Sequence, residues 1–419
     1  MEITRDTLKY FSENNAPIYS FERSAKAPGK DIEYEEIQSP DSDEPVYMWA
    51  ENKMGQCRIM YYSEAYNIEL NLSTTNGDMP FRELESLVIA ELPEGVTEIP
   101  DYTFRKCSKL SKVVFPNSLK QIGESAFFDC TALNTVEFAD GIEMIGDNAF
   151  HGAGIQGKLE LPSGLKKIEE WAFADCKGTT SVVLNEGLEK IGSAAFRGTS
   201  ITELELPSTV KSVWNGAFVD CTNLSSVSLN EGLIMIGANA FSNEIALGQL
   251  PDSLEMISGR LNEDVKVNSN LVMDEYGVIF NKDKTALLAT TKDIEGEYRI
   301  PEGVLSIGSG AFKGQTLTGI IWNQELEEIG SAAFYDCERL VSVPPVLSGV
   351  KELNSTFYNC TSLTEVTVPG TVETLKNTFM GCKNLVSVTL EEGIKKVGAN
   401  STFAGCDKLG EISYPASAR

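Results

Sequence analysis

Apolar positions along this chain recur on two nested periods. Phenylalanine returns at Phe104, Phe127, Phe150, Phe173, Phe196, Phe218 and Phe241, then at Phe312, Phe334, Phe357, Phe379 and Phe403, at spacings of 22 to 24 residues apart from one long interval. Between these marks the chain reads L-x-x-V-x-L-P-x-x-L-x-x-I-G-x-x-A-F-x-x-C. Apolar residues two apart, such as Val113 and Phe115, share one side of an extended strand and leave Lys112 and Val114 on the other. Turns follow at "LPEGV", "ADGI", "NEGL", "IPEGV" and "EEGI", where a glycine suits a positive φ. The next half-coil, as in Leu188 to Gly192, turns two more apolar residues inward and uses glycine at a tight corner. The segment x-x-A-F-x-x-C is too short for an independent helix and predicts a single α or 3₁₀ turn with alanine and phenylalanine against the core.

A repeat of roughly 20–29 residues with regular leucines is one coil of a stacked array. The expected fold is therefore a leucine-rich repeat solenoid, a right-handed superhelix of about thirteen coils with parallel β ladders and short α or 3₁₀ turns. The period is missing before Phe81, where residues 45–72 are aromatic and β-rich. An array must shield its open end, so residues 1–80 are read as an amino-terminal β cap, with a short helix over residues 4–11 and an acidic loop over residues 28–45. Between Phe241 and Phe312 the coil pattern fades, and the alternation around "NKDKT" predicts a β-hairpin insertion over residues 263–300. It separates a first block of repeats, 81–262, from a second, 301–419.

Charge and chemistry narrow the function. A formal net charge of −26 argues against nucleic acid as a partner, because phosphate contacts need clustered lysine and arginine. No run of about 18 apolar residues is present to span a membrane, and the first residues lack the charged and apolar regions of a secretory signal. Eight of nine cysteines hold one slot, three residues after the repeat phenylalanine, where Ala153, Thr199, Glu244 and Gln315 also stand. That pattern reads as packed thiols rather than a metal site, and Cys57 as a free thiol. The one histidine, His151, lies in a slot also filled by Phe128, Ala174, Arg197, Val219 and Lys313, and is read as a tolerant exposed position. Neither a nucleophile elbow nor a phosphate-binding glycine loop occurs. The turn carboxylates Glu94, Asp140, Glu186, Glu231, Glu302 and Glu392 form a row of single acids, a poor match to the six to eight oxygens of a calcium site. No catalytic residue, cofactor or metal is assigned.

The phrase carried by Leu110, Val113, Phe115, Pro116, Leu119, Ile122, Gly123, Ala126, Phe127 and Cys130 resembles the BspA-like leucine-rich repeats of the Treponema pallidum class. The stretch from "GVIFNKDKTALL" onward is similar to an insertion found in many of those proteins, and the resemblance covers roughly residues 81–414. It implies a bacterial surface or secreted protein that binds host matrix proteins or other cell-surface proteins. The outward strand positions are the candidate binding face: Lys112, Glu137, Lys158, Glu160, Glu203, Glu205, Ser226, Ser228, Glu365 and Thr367. They are expected to form adjoining acidic and hydroxyl-rich rows that take a protein ligand without catalysis. Two other readings stay open: a glycan-binding protein or enzyme with its site at the cap, around Trp49, Tyr61 and Tyr62, or at the insertion; and a structural spacer.

Overall fold

A computed structural model of the protein describes residues 46–53, 56–63, 66–71 and 82–418, without 84–86, 93–95, 243–244, 346–348, 399–400, 411 and 413. The helix expected over residues 4–11 and the acidic loop of residues 28–45 lie outside the described residues, as does Glu94. The chain divides into two compact units, Met1–Ser228 and Leu229–Arg419.

In the first unit, β1 (Val46–Lys53), β2 (Gln56–Ser63) and β3 (Tyr66–Asn71) make an antiparallel meander. β1 also runs parallel to β4 (Leu87–Glu91), which pairs with Lys112–Val114 and so starts the parallel array. From there the unit is a parallel β-solenoid. Its coils contribute the two-residue strands Glu98–Ile99, Gln121–Ile122, Met144–Ile145, Lys167–Ile168, Lys190–Ile191 and Ser212–Val213, joined in one ladder. Register places Ile99, Ile122, Ile145, Ile168, Ile191 and Val213 in line, all buried, which is where a β-branched side chain fits a pleated surface best. Behind this line the repeat phenylalanines stack ring on ring. Centroids from Phe104 to Phe218 are 4.9 to 5.4 Å apart and planes within 15° of parallel.

The corner that carries each phenylalanine is not the α or 3₁₀ turn expected. Alternate N–H groups bond within the coil, as Phe128 N to Ser125 O at 3.2 Å, and to the following coil, as Phe127 N to Ala149 O at 2.7 Å. A helix keeps its N–H groups to itself, whereas here a neighbouring coil offers carbonyls about 4.8 Å away, and residues in the left-handed region swing every second N–H toward them. Ser125, Asp129, Asn148, Trp171, Asp175, Ala194 and Asp220 all have φ between 52° and 62°. The only 3₁₀ helix among the described residues is Ala416–Ala418. The corner glycines serve size rather than φ. A Cβ on Gly192 would meet Ile168 O at 2.7 Å, and one on Gly123 would meet the backbone N of Asp101 at 2.6 Å.

In the second unit, Leu271–Met273, Val278–Asn281 and Ala286–Thr290 form an antiparallel meander. Its last strand also pairs in parallel with Gly259–Arg260 and with Ser306–Ile307, so that Leu287 sits beside Ile307 in the position of a coil isoleucine. The array continues through Glu328–Ile329 and, further on, through Glu352–Asn354, Thr374–Lys376 and Lys396–Val397. Phe312, Phe334, Phe357, Phe379 and Phe403 stack at 4.9 to 5.8 Å.

One buried polar residue ties the meander to its coil. Gln315 stands in the cysteine slot, donates to Thr290 Oγ1 at 2.9 Å and Lys292 O at 2.8 Å, and accepts from Ile294 N at 2.8 Å. Gln315→Leu leaves the buried Ile294 N–H without its acceptor and removes the bonds to Thr290 and Lys292, and is expected to lower stability by about 2–3 kcal/mol. A urea titration followed by circular dichroism checks this. A midpoint equal to wild type would mean that the network adds nothing.

Candidate interaction faces

The outward strand residues predicted from sequence divide into short pairs of strands rather than continuous rows. Gln156–Glu160 pairs with Gly178–Val183, placing Lys158 beside Ser181 and Glu160 beside Val183, and Lys158 makes an ion pair with Glu160 at 2.5 Å. Glu203–Glu205 pairs with Ser226–Ser228, so that Glu203 faces Ser226 and Glu205 faces Ser228. In the second unit Glu365 lies beside Ser387 and Thr367 beside Thr389. All are exposed except Ser181 and Thr367, which are half-buried. Lys112 is exposed on its strand next to β4, with Ile89 as its register partner. Glu137 is exposed but belongs to no strand: its coil carries Phe138, whose ring packs edge-on to Phe150 and Phe173, and residues 133–139 make no ladder. At the amino-terminal meander, Trp49 is in register with Met60, Tyr61 with Met48 and Tyr62 with Tyr47, while the side chains of these residues and of Cys57 lie outside the described part of the structure.

A second face is not legible as one in the sequence. Along the turn edge of the first unit, side chains from the slots two before and one after the repeat phenylalanine interlock from coil to coil. The Arg105 guanidinium lies 5.7 Å from the Tyr102 ring and 4.7 Å from the Phe128 ring. Phe128 packs on His151 at 4.8 Å, His151 stacks on Trp171 at 5.8 Å, and the Arg197 guanidinium caps Trp171 at 5.2 Å. In the coil of Trp171 the slot after the phenylalanine is Ala174, which leaves the indole room to bridge its neighbours. All six members are half-buried. Cation–π contacts at such sites contribute about 0.5–1 kcal/mol each. A shorter stack of the same kind occurs in the second unit, where Lys313 lies 5.0 Å from the Tyr335 ring and Tyr335 stacks on Tyr358 at 4.4 Å.

His151 is therefore not the tolerant exposed residue expected, but a link in this row. Nδ1 lies 3.2 Å from Asn148 Oδ1 and Nε2 3.5 Å from Asp175 Oδ2. The Tyr102 hydroxyl donates to the Glu124 carboxylate, and this bond makes the phenol hold its proton more tightly than usual. The signal that could expose the row is the succession Arg105, Phe128, His151, Ala174, Arg197 in one slot. Along the chain that succession looks merely variable, because only the folded corner shows that the slot of Tyr102 and Trp171 lies beside it.

Some of the turn carboxylates have local partners. Glu186 accepts from the Ser208 hydroxyl at 2.9 Å, and Glu392 accepts from the backbone N of Ala416 at 2.8 Å. Among the described residues no group of three or more His, Cys, Asp or Glu side chains is placed to hold a metal ion. The slot cysteines are free, and most donate to the phenylalanine carbonyl of the preceding coil: Cys130 to Phe104, Cys176 to Phe150, Cys337 to Phe312 and Cys382 to Phe357, at 3.1 to 3.2 Å. No helix among the described residues is long and apolar enough to cross a membrane.

Among solved structures, the chain is similar to a leucine rich cell surface protein from Faecalibacterium prausnitzii A2-165, at 21% identity over 88% of this chain and 95% of that one, with a TM-score of 0.44. It is also similar to the pneumococcal vaccine antigen PcpA, at 19% identity over 88% and 92% with a TM-score of 0.45. The Treponema pallidum leucine rich repeat protein aligns at 26% identity over 39% of this chain and 65% of that one, with a TM-score of 0.29. No curated protein sequence matches the chain. The model of the BspA type leucine rich repeat region, in six copies, matches residues 59–157, 143–261 and 295–410. The coil-by-coil stack of phenylalanines and the match over most of the sequence agree: the chain belongs to the BspA type leucine rich repeat family.

Proposed function

We propose that this protein is a non-enzymatic binding protein of the bacterial cell exterior, taking a protein ligand, a host matrix or other cell-surface protein, on exposed faces of its solenoid. One observation carries the reading. Residues in the repeated slots are almost all buried and committed to coil-on-coil contact, while exposed residues vary from coil to coil. A surface that varies on an invariant frame is suited to recognition, and arrays of stacked repeats present broad binding surfaces. The acidic and hydroxyl-bearing pairs Glu203 with Ser226 and Glu205 with Ser228 form one such face, extended by Lys158 and Glu160.

Charge on a binding surface acts mainly through association rate and salt dependence. The triple variant Glu160→Lys, Glu203→Lys and Glu205→Lys is expected to weaken a protein ligand found by interferometry on an array of matrix and surface proteins by about tenfold. Its salt dependence should flatten, whereas Glu137→Lys, off the strands, should change little. Equal affinity in the triple variant removes this face. Fractionation of native cells tests the exterior location, and recovery in the cytosolic fraction alone would overturn it.

A further inference from the structure

We propose that the turn edge of the first unit, from Tyr102 to Arg197, is the seat of an extended basic segment of a protein partner. The inference rests on the reading that this chain binds proteins, and assigns a different surface from the acidic strand face.

Backbone conformation supplies the first argument. Tyr102 and Trp171 have φ of 59° and 58°, in the left-handed region that bulky residues avoid. The same slot holds Gly216 at φ 62°, Ser125, Asn148 and Ala194 in other coils, which close without an aromatic there. Folding of the coil therefore sets the φ of this slot but does not call for a ring there.

The shape of the row comes next. Arg105, Phe128, His151, Trp171 and Arg197 belong to five successive coils, and coils about 4.8 Å apart give a strip about 19 Å long, the length of roughly six residues of extended chain. Ring faces are covered by their neighbours in the row, so sugars and bases find no open platform, while each side chain keeps part of its surface exposed. Tryptophan, tyrosine and arginine are the residue types that dominate protein–protein binding energy.

Charge identifies the partner. In each coil the row is bordered by the positions just outside it. Asp101, Glu124, Asp147 and Glu170 stand on one margin, all exposed, and Asp129 and Asp175 on the other, with Asp220 in the coil that follows the row. Against these stand Arg105, Lys106 and Arg197, and Arg197 is already paired with Asp220 at 2.9 Å. A segment bearing lysine or arginine can lay its aliphatic stems across the ring edges and its charges on the margins.

The probe is a labelled peptide of alternating lysine and valine about ten residues long, with fluorescence anisotropy as the readout. Saturable binding is expected, weakened about tenfold by Trp171→Gly, which the left-handed backbone accepts without strain, by Phe128→Ala, and by Glu124→Gln combined with Glu170→Gln. Glu203→Lys with Glu205→Lys should leave it unchanged, so this proposal and the strand-face reading fail separately. The proposal is overturned if the ring variants bind the peptide as wild type does, which would mean charge attraction alone. It is equally overturned if a glutamate–valine peptide or a heparin fragment binds more tightly, or if no saturation appears below about 1 mM.

Discussion

Phe150→Ala is expected to destabilise the first unit by about 3–5 kcal/mol, a loss comparable to a large share of the net stability of an ordinary domain. Phe150 is fully buried between Phe127 at 4.9 Å and Phe173 at 5.3 Å, with the edge of Phe138 at 5.5 Å. Truncation removes two stacked pairs and one edge contact, each worth about 0.5–1.5 kcal/mol beyond area burial, and leaves a ring-sized void in a rigid ladder. The backbone bond from Phe150 N to Ala172 O survives in the variant, so the loss is assigned to the ring. Because each repeat touches only its neighbours, the damage should stay near its source. Hydrogen exchange read by mass spectrometry should speed up in peptides spanning residues 127–173 and stay at wild-type rates in residues 334–379. Phe150→Leu, which fills most of the void but loses the ring pairs, should cost less than Phe150→Ala. Uniform acceleration across the chain would show that the array unfolds as one body rather than coil by coil.

The core of this molecule is legible in the sequence because its signals are local and repeated. Val113 inward and Lys112 outward, Leu188 and Ile191 buried, and Ala126 with Phe127 against the core all follow from periods of two and of about 23 residues. The corner is misleading because a short segment with alanine and phenylalanine suggests helix, and only the presence of the next coil makes alternating φ signs the better way to satisfy its N–H groups. The exposed rows mislead for a similar reason. Sequence places Glu137 in the same slot as Glu160, but residues 133–139 form no strand. The Tyr102 to Arg197 row joins two slots three residues apart across five coils, and no linear window contains that adjacency. Likewise, "NKDKT" announces a hairpin, but nothing local shows that Ala286–Thr290 will also serve as the parallel strand of a coil.

The cysteine slot gives the second large effect, in reactivity rather than stability. Burial pushes the thiols of Cys337 and Cys382 up to about 12 from an ordinary value of 9.0, and those of Cys130, Cys176 and Cys360 upward by the same cause. The thiolate is the attacking species, so at pH 8 Cys337 and Cys382 should react with a disulfide reagent about 10³ times more slowly than in the unfolded chain from ionisation alone, and all five more slowly still from exclusion of the reagent. The experiment uses Cys57→Ser, whose other eight thiols all lie in the slot, and compares labelling in buffer with labelling in denaturant. A burst of several thiols in buffer would mean that the slot opens, and would contradict the hydrogen bonds from Cys130, Cys176, Cys337 and Cys382 to the preceding coils. The same shifts set a direction for pH. A thiol whose folded pKa is raised leaves stability at its full value below 9, where the folded and unfolded chains both keep the proton. Between 9 and about 12 the unfolded chain releases protons that the folded chain retains, so stability falls with rising pH across that window. Replacing Cys337 and Cys382 by alanine, which does not titrate, should flatten this alkaline loss even though it lowers stability at neutral pH, because the filled slot and its bond to the preceding carbonyl are gone.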